Sequence, residues 1–202
     1  MGSIIADLFV TLDGVYQAPG GAQEDTDGGF EFGGWQAPYL DDETGEALDA
    51  GFDDFDALLL GRKTYDIFAG YWPKQSADMP IARKLNEVPK FVVSHAAFEP
   101  TWQGTTVLTD VATEVAPLKA RFGTTRVIGS GHLVQSLLEV DLVDRLNLYV
   151  YPITFGSGKS LFTRGVPAAF TLAAPPRAFP KGAILLSYDR AGAPVTGIDI
   201  DA

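Results

Sequence analysis

The chain has 202 residues, 46% of them apolar and 20% charged, with a formal net charge of −11 and a sequence pI near 4.5. That length suits one domain with a sizeable core, and the acidic balance argues against nucleic acid or an anionic membrane as partner. The absence of cysteine excludes disulfides, thiolate catalysis and Cys-based zinc sites; no apolar run reaches the roughly 18–20 residues that span a bilayer, and the N-terminus lacks the pattern of a signal peptide, so the expected compartment is cytoplasmic.

Residues Ser3 to Val10 read as a buried strand, closed by the turn signal Asp13-Gly14. Residues 17–34 are rich in Gly, Asp and Gln and have no usable period. That predicts a long loop of the kind that often serves as a lid or binding loop. Asp42 can cap a helix in which Leu48, Phe52 and Phe55 repeat at helical spacing. Ala57 to Leu60 is a short apolar strand ended by Gly61, and Arg62 to Phe68 begins a helix. Pro80 suits the first turn of a helix carrying Ile81 and Leu85. Lys90 to Ser94 and Thr105 to Leu108 read as strands. Val111 to Phe122 has a helical pattern that Pro117 must kink or shorten.

Arg126 to Ile128 then forms a buried strand, Gly129-Ser130-Gly131 a tight turn, and Leu133, Val134, Leu137 and Leu138 the apolar face of a helix. Leu146 to Ile153 is an apolar strand, and Phe170 to Ala174 with Ala183 to Tyr188 a closing antiparallel pair. The expected organisation is one domain over 1–190 and a tail over 191–202. Strands alternating with helices, then strands alone, argue for an α/β sandwich with a mostly parallel sheet and an antiparallel edge.

The strand–turn–helix at Gly129 is the most informative segment. A helix opening on a Gly-x-Gly turn points unpaired N–H groups and the positive end of its dipole at one spot, a receptor for phosphate or pyrophosphate. The Rossmann form fails, because Val134 stands where the third glycine belongs. Gly156-Ser-Gly-Lys-Ser160 mimics the end of a P-loop, but Ile153 stands where its first glycine belongs.

Because the chain is acidic overall, an anion must meet a local basic spot. The candidates are Arg62-Lys63, Arg83-Lys84 and Lys159. At Gly61-Arg62-Lys63-Thr64, two cations open a helix whose dipole favours acids there. Either an anion lies between them or both are solvated. Ser94 and His95, at a strand end, either receive a phosphate or cap a turn. The acids from Asp41 to Asp56 lack the spacing of a calcium loop, His95 and His132 do not form a metal pair, and no metal is expected.

In order, Thr-Leu-Asp-Gly, Gly-Arg-Lys-Thr-Tyr, Phe-Val-Val-Ser, Val-Ile-Gly-Ser-Gly and Leu-Tyr-Val-Tyr-Pro-Ile-Thr-Phe-Gly-Ser-Gly-Lys-Ser-Leu-Phe resemble the dihydrofolate-reductase-like family. The chain is most similar to its riboflavin-biosynthesis (RibD C-terminal-like) reductase branch, over about residues 3–190. The zinc-deaminase motif that often accompanies that branch is absent, so the resemblance covers the reductase half. It implies a three-layer sandwich, NADPH as cofactor and a small heterocyclic substrate, with a homodimer as the assembly. By the same resemblance Arg62, Lys63 and Thr64 lie over the adenosine phosphates, Arg62 near the 2′-phosphate, with Gly61 before them and Ser94 and His95 at the adenine end. Gly129, Ser130, Gly131, His132 and Leu133 hold the pyrophosphate. Ala6, Asp13 and Gly14 flank the nicotinamide. Asp13 is either a polar group near the reacting centre or a turn-forming acid; Trp35 and Tyr39 either stack on a flat substrate or seal the core. The implied reaction is reduction of a ribosylamino-pyrimidine, with folate reduction second and a non-catalytic nucleotide-binding protein as the competing class.

Overall fold

Residues 2–51, 54–162 and 167–199 are described by the computed structural model. The first strand, β1 (Ser3–Thr11), pairs in parallel with β5 (Thr124–Ile128) on one side and β6 (Arg145–Tyr151) on the other. Beyond β5 lie β2 (Ala57–Gly61), β3 (Lys90–Val93) and β4 (Thr105–Leu108), all parallel. On the other flank β9 (Ile184–Arg190) runs antiparallel to β6, and β7 (Phe170–Leu172) and the two-residue β8 (Arg177–Ala178) pair with β9. The order β4-β3-β2-β5-β1-β6-β9-β7 is the expected parallel sheet with an antiparallel edge.

Five-residue β2 reads as continuously apolar because helices cover both of its faces. Leu58 and Leu60 pack with Phe55, Tyr65, Leu85 and Val92 beneath α2 (Arg62–Tyr71) and α3 (Pro80–Glu87). Ala57 and Leu59 join Ile4, Ala6 and Leu8 against α4 (Val111–Glu114), α5 (Leu118–Arg121) and α6 (Gly131–Glu139). Pro117 accounts for the break between α4 and α5, as its position at the N-cap of α5 shows. A third cluster joins Val15, Ala18, Phe30 and Trp35 of the long loop to Tyr149 and Tyr151 of β6.

One cap moves by a residue. The helix α1 (Asp42–Gly51) is capped by Asp41, whose carboxylate accepts from the Thr44 N–H at 2.8 Å and the Thr44 hydroxyl at 2.7 Å. Asp42 is already helical, so its side chain stands past the cap position. Phe52, expected on the apolar face of this helix, lies outside the described residues. No helix among those described is long and apolar enough to cross a membrane.

Candidate active site

β2 and β5 are neighbours, and each hands over directly to a helix. Neither α2 nor α6 receives a side-chain cap, and neither has an acid in its first turn. In α6 the Val134 N–H closes on Ser130 O at 3.0 Å. The N–H groups of Gly131, His132 and Leu133 precede that bond and stand outside the helical ladder. Ser130 takes the left-handed conformation (φ 57°, ψ 51°), and its hydroxyl accepts from the Gly61 N–H at 2.9 Å. That bond ties the two helix starts together. Gly129 also has positive φ, 64°, and a Cβ there would sit 3.6 Å from the Thr64 methyl. Two positive helix ends thus meet at the carboxyl ends of parallel strands, where open α/β sheets bind ligands.

A cavity of about 610 Å³ opens beside this junction. Its apolar wall includes Phe9 of β1, Leu48 of α1, Phe68 of α2, Leu85 of α3 and Ile128 of β5. Its polar rim includes Arg62, Lys63, Thr64, Ser130 and Lys159, and its acids are Glu24, Asp25 and Asp49. A large apolar pocket with a few convergent polar groups is the usual form of a small-molecule site.

The loop after β1 covers one side through Tyr16 to Gly20. Gln17 fastens it: its amide donates to Asp25 O at 3.1 Å, Asp25 Oδ1 at 3.1 Å and Asp27 O at 3.0 Å, and its oxygen accepts from the Lys159 N–H at 3.0 Å. Burial pushes the Glu24 carboxyl up, although the N–H groups of Gly20 and Gly21 donate to it. Burial also raises the Tyr16 phenol, with Asp25 adding to the rise. Arg62 donates from Nε to both carboxylate oxygens of Asp66, each at 2.9 Å, and its guanidinium lies 3.7 Å above the Phe98 ring centre.

Gly61 to Thr64 and Gly129 to Leu133, expected from the sequence, all line this cavity. Other expected residues lie elsewhere. Ala6 is fully buried in the core under α6, and Gly14 occupies the turn after β1 with φ 77°. The Asp13 carboxylate is exposed and closes that turn: it accepts from the Thr11 hydroxyl and from the N–H groups of Phe155 and Gly156 at 2.9 and 2.7 Å. These bonds hold it below the usual carboxylate range, despite some desolvation. Ser94 is buried and donates to Ala96 O at 2.7 Å, the turn-capping alternative, while His95 is exposed. Trp35 is buried edge-on to Tyr151 and donates its indole N–H to Gln17 O at 2.7 Å; Tyr39 packs on the same tyrosine. Trp35 belongs to the buried core and Tyr39 packs half-buried against it, and neither is part of the cavity wall.

The sequence does not single out Phe9, Tyr16, Leu48, Asp49 or Phe68 for the site, and it marks Gln17, Glu24 and Asp25 only as members of the 17–34 lid or binding loop. Thr64 and Phe68 are four apart on α2, as are Gly45 and Asp49 on α1, so a helical face was the available signal. Lys159 stands out in the sequence only as a basic spot within the Gly156-to-Ser160 turn.

The sequence profile of the RibD C-terminal domain matches residues 3–174. A Bacillus subtilis (strain 168) protein named uncharacterized protein YyaP is 29% identical over 167 residues, 79% of each chain. Among solved structures, a diaminohydroxyphosphoribosylaminopyrimidine deaminase/5-amino-6-(5-phosphoribosylamino)uracil reductase of Thermotoga maritima superposes with a TM-score of 0.62 at 16% identity, over 94% of this chain and 57% of that one. Dihydrofolate reductase from Enterococcus faecalis, complexed with NADP(H), does so with a TM-score of 0.58 at 16% identity, over 94% and 96%. The fold is therefore dihydrofolate-reductase-like, and the chain belongs to the RibD C-terminal domain family.

Proposed function

We propose that the protein is an NADPH-dependent reductase of a pyrimidine-like heterocycle, with a ribosylamino-pyrimidine of riboflavin biosynthesis as the first candidate. The observation that carries this reading is the meeting of two uncapped, acid-free helix starts beside one apolar cavity. An extended dinucleotide fits those groups: N–H donors of Gly131, His132 and Leu133 suit the pyrophosphate, and Thr64 and Arg62 continue the track outward. Bound NADPH supplies the hydride. The chain's own part is to orient donor and acceptor against the wall of Phe9, Leu48, Phe68 and Ile128 and to keep water out.

The test is NADPH oxidation with a panel of pyrimidine, pterin and flavin acceptors, together with cofactor affinities for the wild type and Arg62→Ala. The expected result is turnover on a pyrimidine. Arg62→Ala should weaken NADPH more than NADH, because only NADPH carries the 2′-phosphate. The expected difference is about 1.5 kcal/mol, the low end for a charged hydrogen bond, because Asp66 already competes for the guanidinium. Equal losses for the two cofactors would contradict the Arg62 assignment. Tight NADPH binding without turnover on any acceptor would leave a binding protein instead.

A further inference from the structure

Lys63 is the second residue of α2 and Lys159 lies in the loop after β6, and both belong to the cavity wall. Their ammonium groups converge on the same two carboxylates. Lys63 Nζ is 2.7 Å from Asp25 Oδ1 and 2.5 Å from Asp27 Oδ2. Lys159 Nζ is 2.6 Å from Asp25 Oδ2 and 2.8 Å from Asp27 Oδ2. Each acid therefore bridges both lysines.

The two acids are not equivalent. The Asp25 side chain is only 10% exposed, and it also accepts from the Gln17 amide and the Asp27 N–H, each at 3.1 Å. It is built into the loop. The Asp27 side chain is 60% exposed, and the two lysines are its carboxylate's partners among the described residues. They hold that carboxyl down at about 2, Lys159 contributing first, so it stays ionised throughout the working pH range. Exposed ion pairs of this kind are weak, because water screens them and two long side chains must be held still. Asp27 is thus an anion that another anion can replace at small cost.

The replacement that fits is a phosphate. It brings more charge than a carboxylate and extra acceptor oxygens, and lysine binds it as a point charge. Without Asp27, two ammonium groups face the single Asp25 charge, and the uncapped start of α2 adds to the positive field. We propose that Lys63 and Lys159 form a phosphate subsite at the cavity rim, shaped by Asp25, where Asp27 of the loop is the resident counter-anion that a ligand phosphate displaces. This rests on the reading that the cavity takes a phosphorylated ligand. Binding is then coupled to release of the Asp27–Gly29 turn, and the free protein's affinity is lowered by its own loop.

The sign of one substitution decides the matter. Inorganic pyrophosphate is titrated calorimetrically into the wild type, Asp27→Asn, Asp27→Ser and Lys159→Met, with thermal unfolding used to confirm that each variant is folded. Both Asp27 variants should bind pyrophosphate about three- to tenfold more tightly, and Lys159→Met should bind it more weakly by a similar factor. Unchanged or weaker binding by the Asp27 variants, as expected if Asp27 only ties down the loop, overturns the proposal. So does an absence of pyrophosphate binding in every protein. NADPH and ribose 5-phosphate then identify the source of the phosphate: tightening by Asp27→Asn for the first assigns the subsite to the cofactor, and for the second to the substrate. Failure of the two readings is distinguishable. A wild type that binds no NADPH removes the cofactor reading, yet tighter pyrophosphate binding by Asp27→Asn still upholds the subsite. A wild type that binds NADPH, with no gain in the Asp27 variants, removes the subsite alone.

Discussion

Asp7 is the residue on which the centre of the sheet turns. It lies fully buried in β1, between β5 and β6. Arg126 of β5 donates from Nε to its Oδ2 and from Nη2 to its Oδ1 at 3.1 Å, and Asn147 of β6 donates from Nδ2 to Oδ1 at 2.8 Å. Burial pushes the Asp7 carboxyl up, against the pull of the Arg126 charge and the Asn147 amide. The sequence shows Asp7 as a lone polar interruption in an apolar strand, and its partners lie over a hundred positions away, so the pair could not be read locally. Breaking one side of a buried pair costs about 3–5 kcal/mol, whereas replacing both by apolar groups is often nearly neutral. Arg126→Met should therefore destabilise the protein by about that much, and Asp7→Leu with Arg126→Met by clearly less than the sum of the single changes. Urea unfolding at constant m reads this out. Strictly additive losses would mean that the two side chains are not energetically coupled.

Among the elements, the β5–turn–α6 unit was the most legible, because its information is local: an apolar strand, a Gly-x-Gly turn and a periodic helix follow one another. The fold came through for the same reason, since each strand and helix carries its own period and its own breaker. The loop after β1 has breakers throughout and no period. Its course is set by Gln17, Asp25 and Trp35 meeting groups on distant segments, and for that reason the sequence offers a lid or binding loop over 17–34 without showing which of its residues form the cavity wall. The structure also gives Gly131 a second duty. A Cβ there would lie 2.5 Å from two atoms of the Tyr16 ring, so the bare Cα lets that loop residue pack on the start of α6. Gly131→Ala should cost about 1–3 kcal/mol as overpacking, despite the better helix propensity of alanine. Tyr16→Ala should remove most of that penalty. The check is a double-mutant cycle on unfolding free energy. A penalty that persists unchanged without the Tyr16 ring would place its cause in the α6 backbone rather than in this contact.

For the whole molecule, stability at neutral pH is set partly by one cation that the acidic total conceals. Lys90 is fully buried in β3, inside the sheet between β2 and β4. Its ammonium donates to Asn86 O at 2.6 Å and lies 4.7 Å from the Trp102 ring centre, and among the described residues no carboxylate pairs with it. Burial lowers it from the ordinary 10.5 to about 8. At pH 7 both the folded and unfolded chains carry that proton, so folding bears the full cost of burying a charge. As pH rises through 8 the folded protein releases the proton while the unfolded chain keeps it up to about 10.5. The unfolded state then binds more protons, and stability rises with pH across that window. The gain attributable to Lys90 should be roughly 2–4 kcal/mol. Other lysines and tyrosines titrate there too, and the growing negative charge works the other way, so the quantity to follow is the stability of the wild type relative to Lys90→Met. That difference should be flat from pH 6 to 7, move in favour of the wild type between pH 8 and 10.5, and level off above. A difference constant from pH 6 to 11 would mean that the Lys90 ammonium keeps its ordinary affinity for the proton in the folded protein. In that case Asn86 and Trp102 would compensate its burial fully.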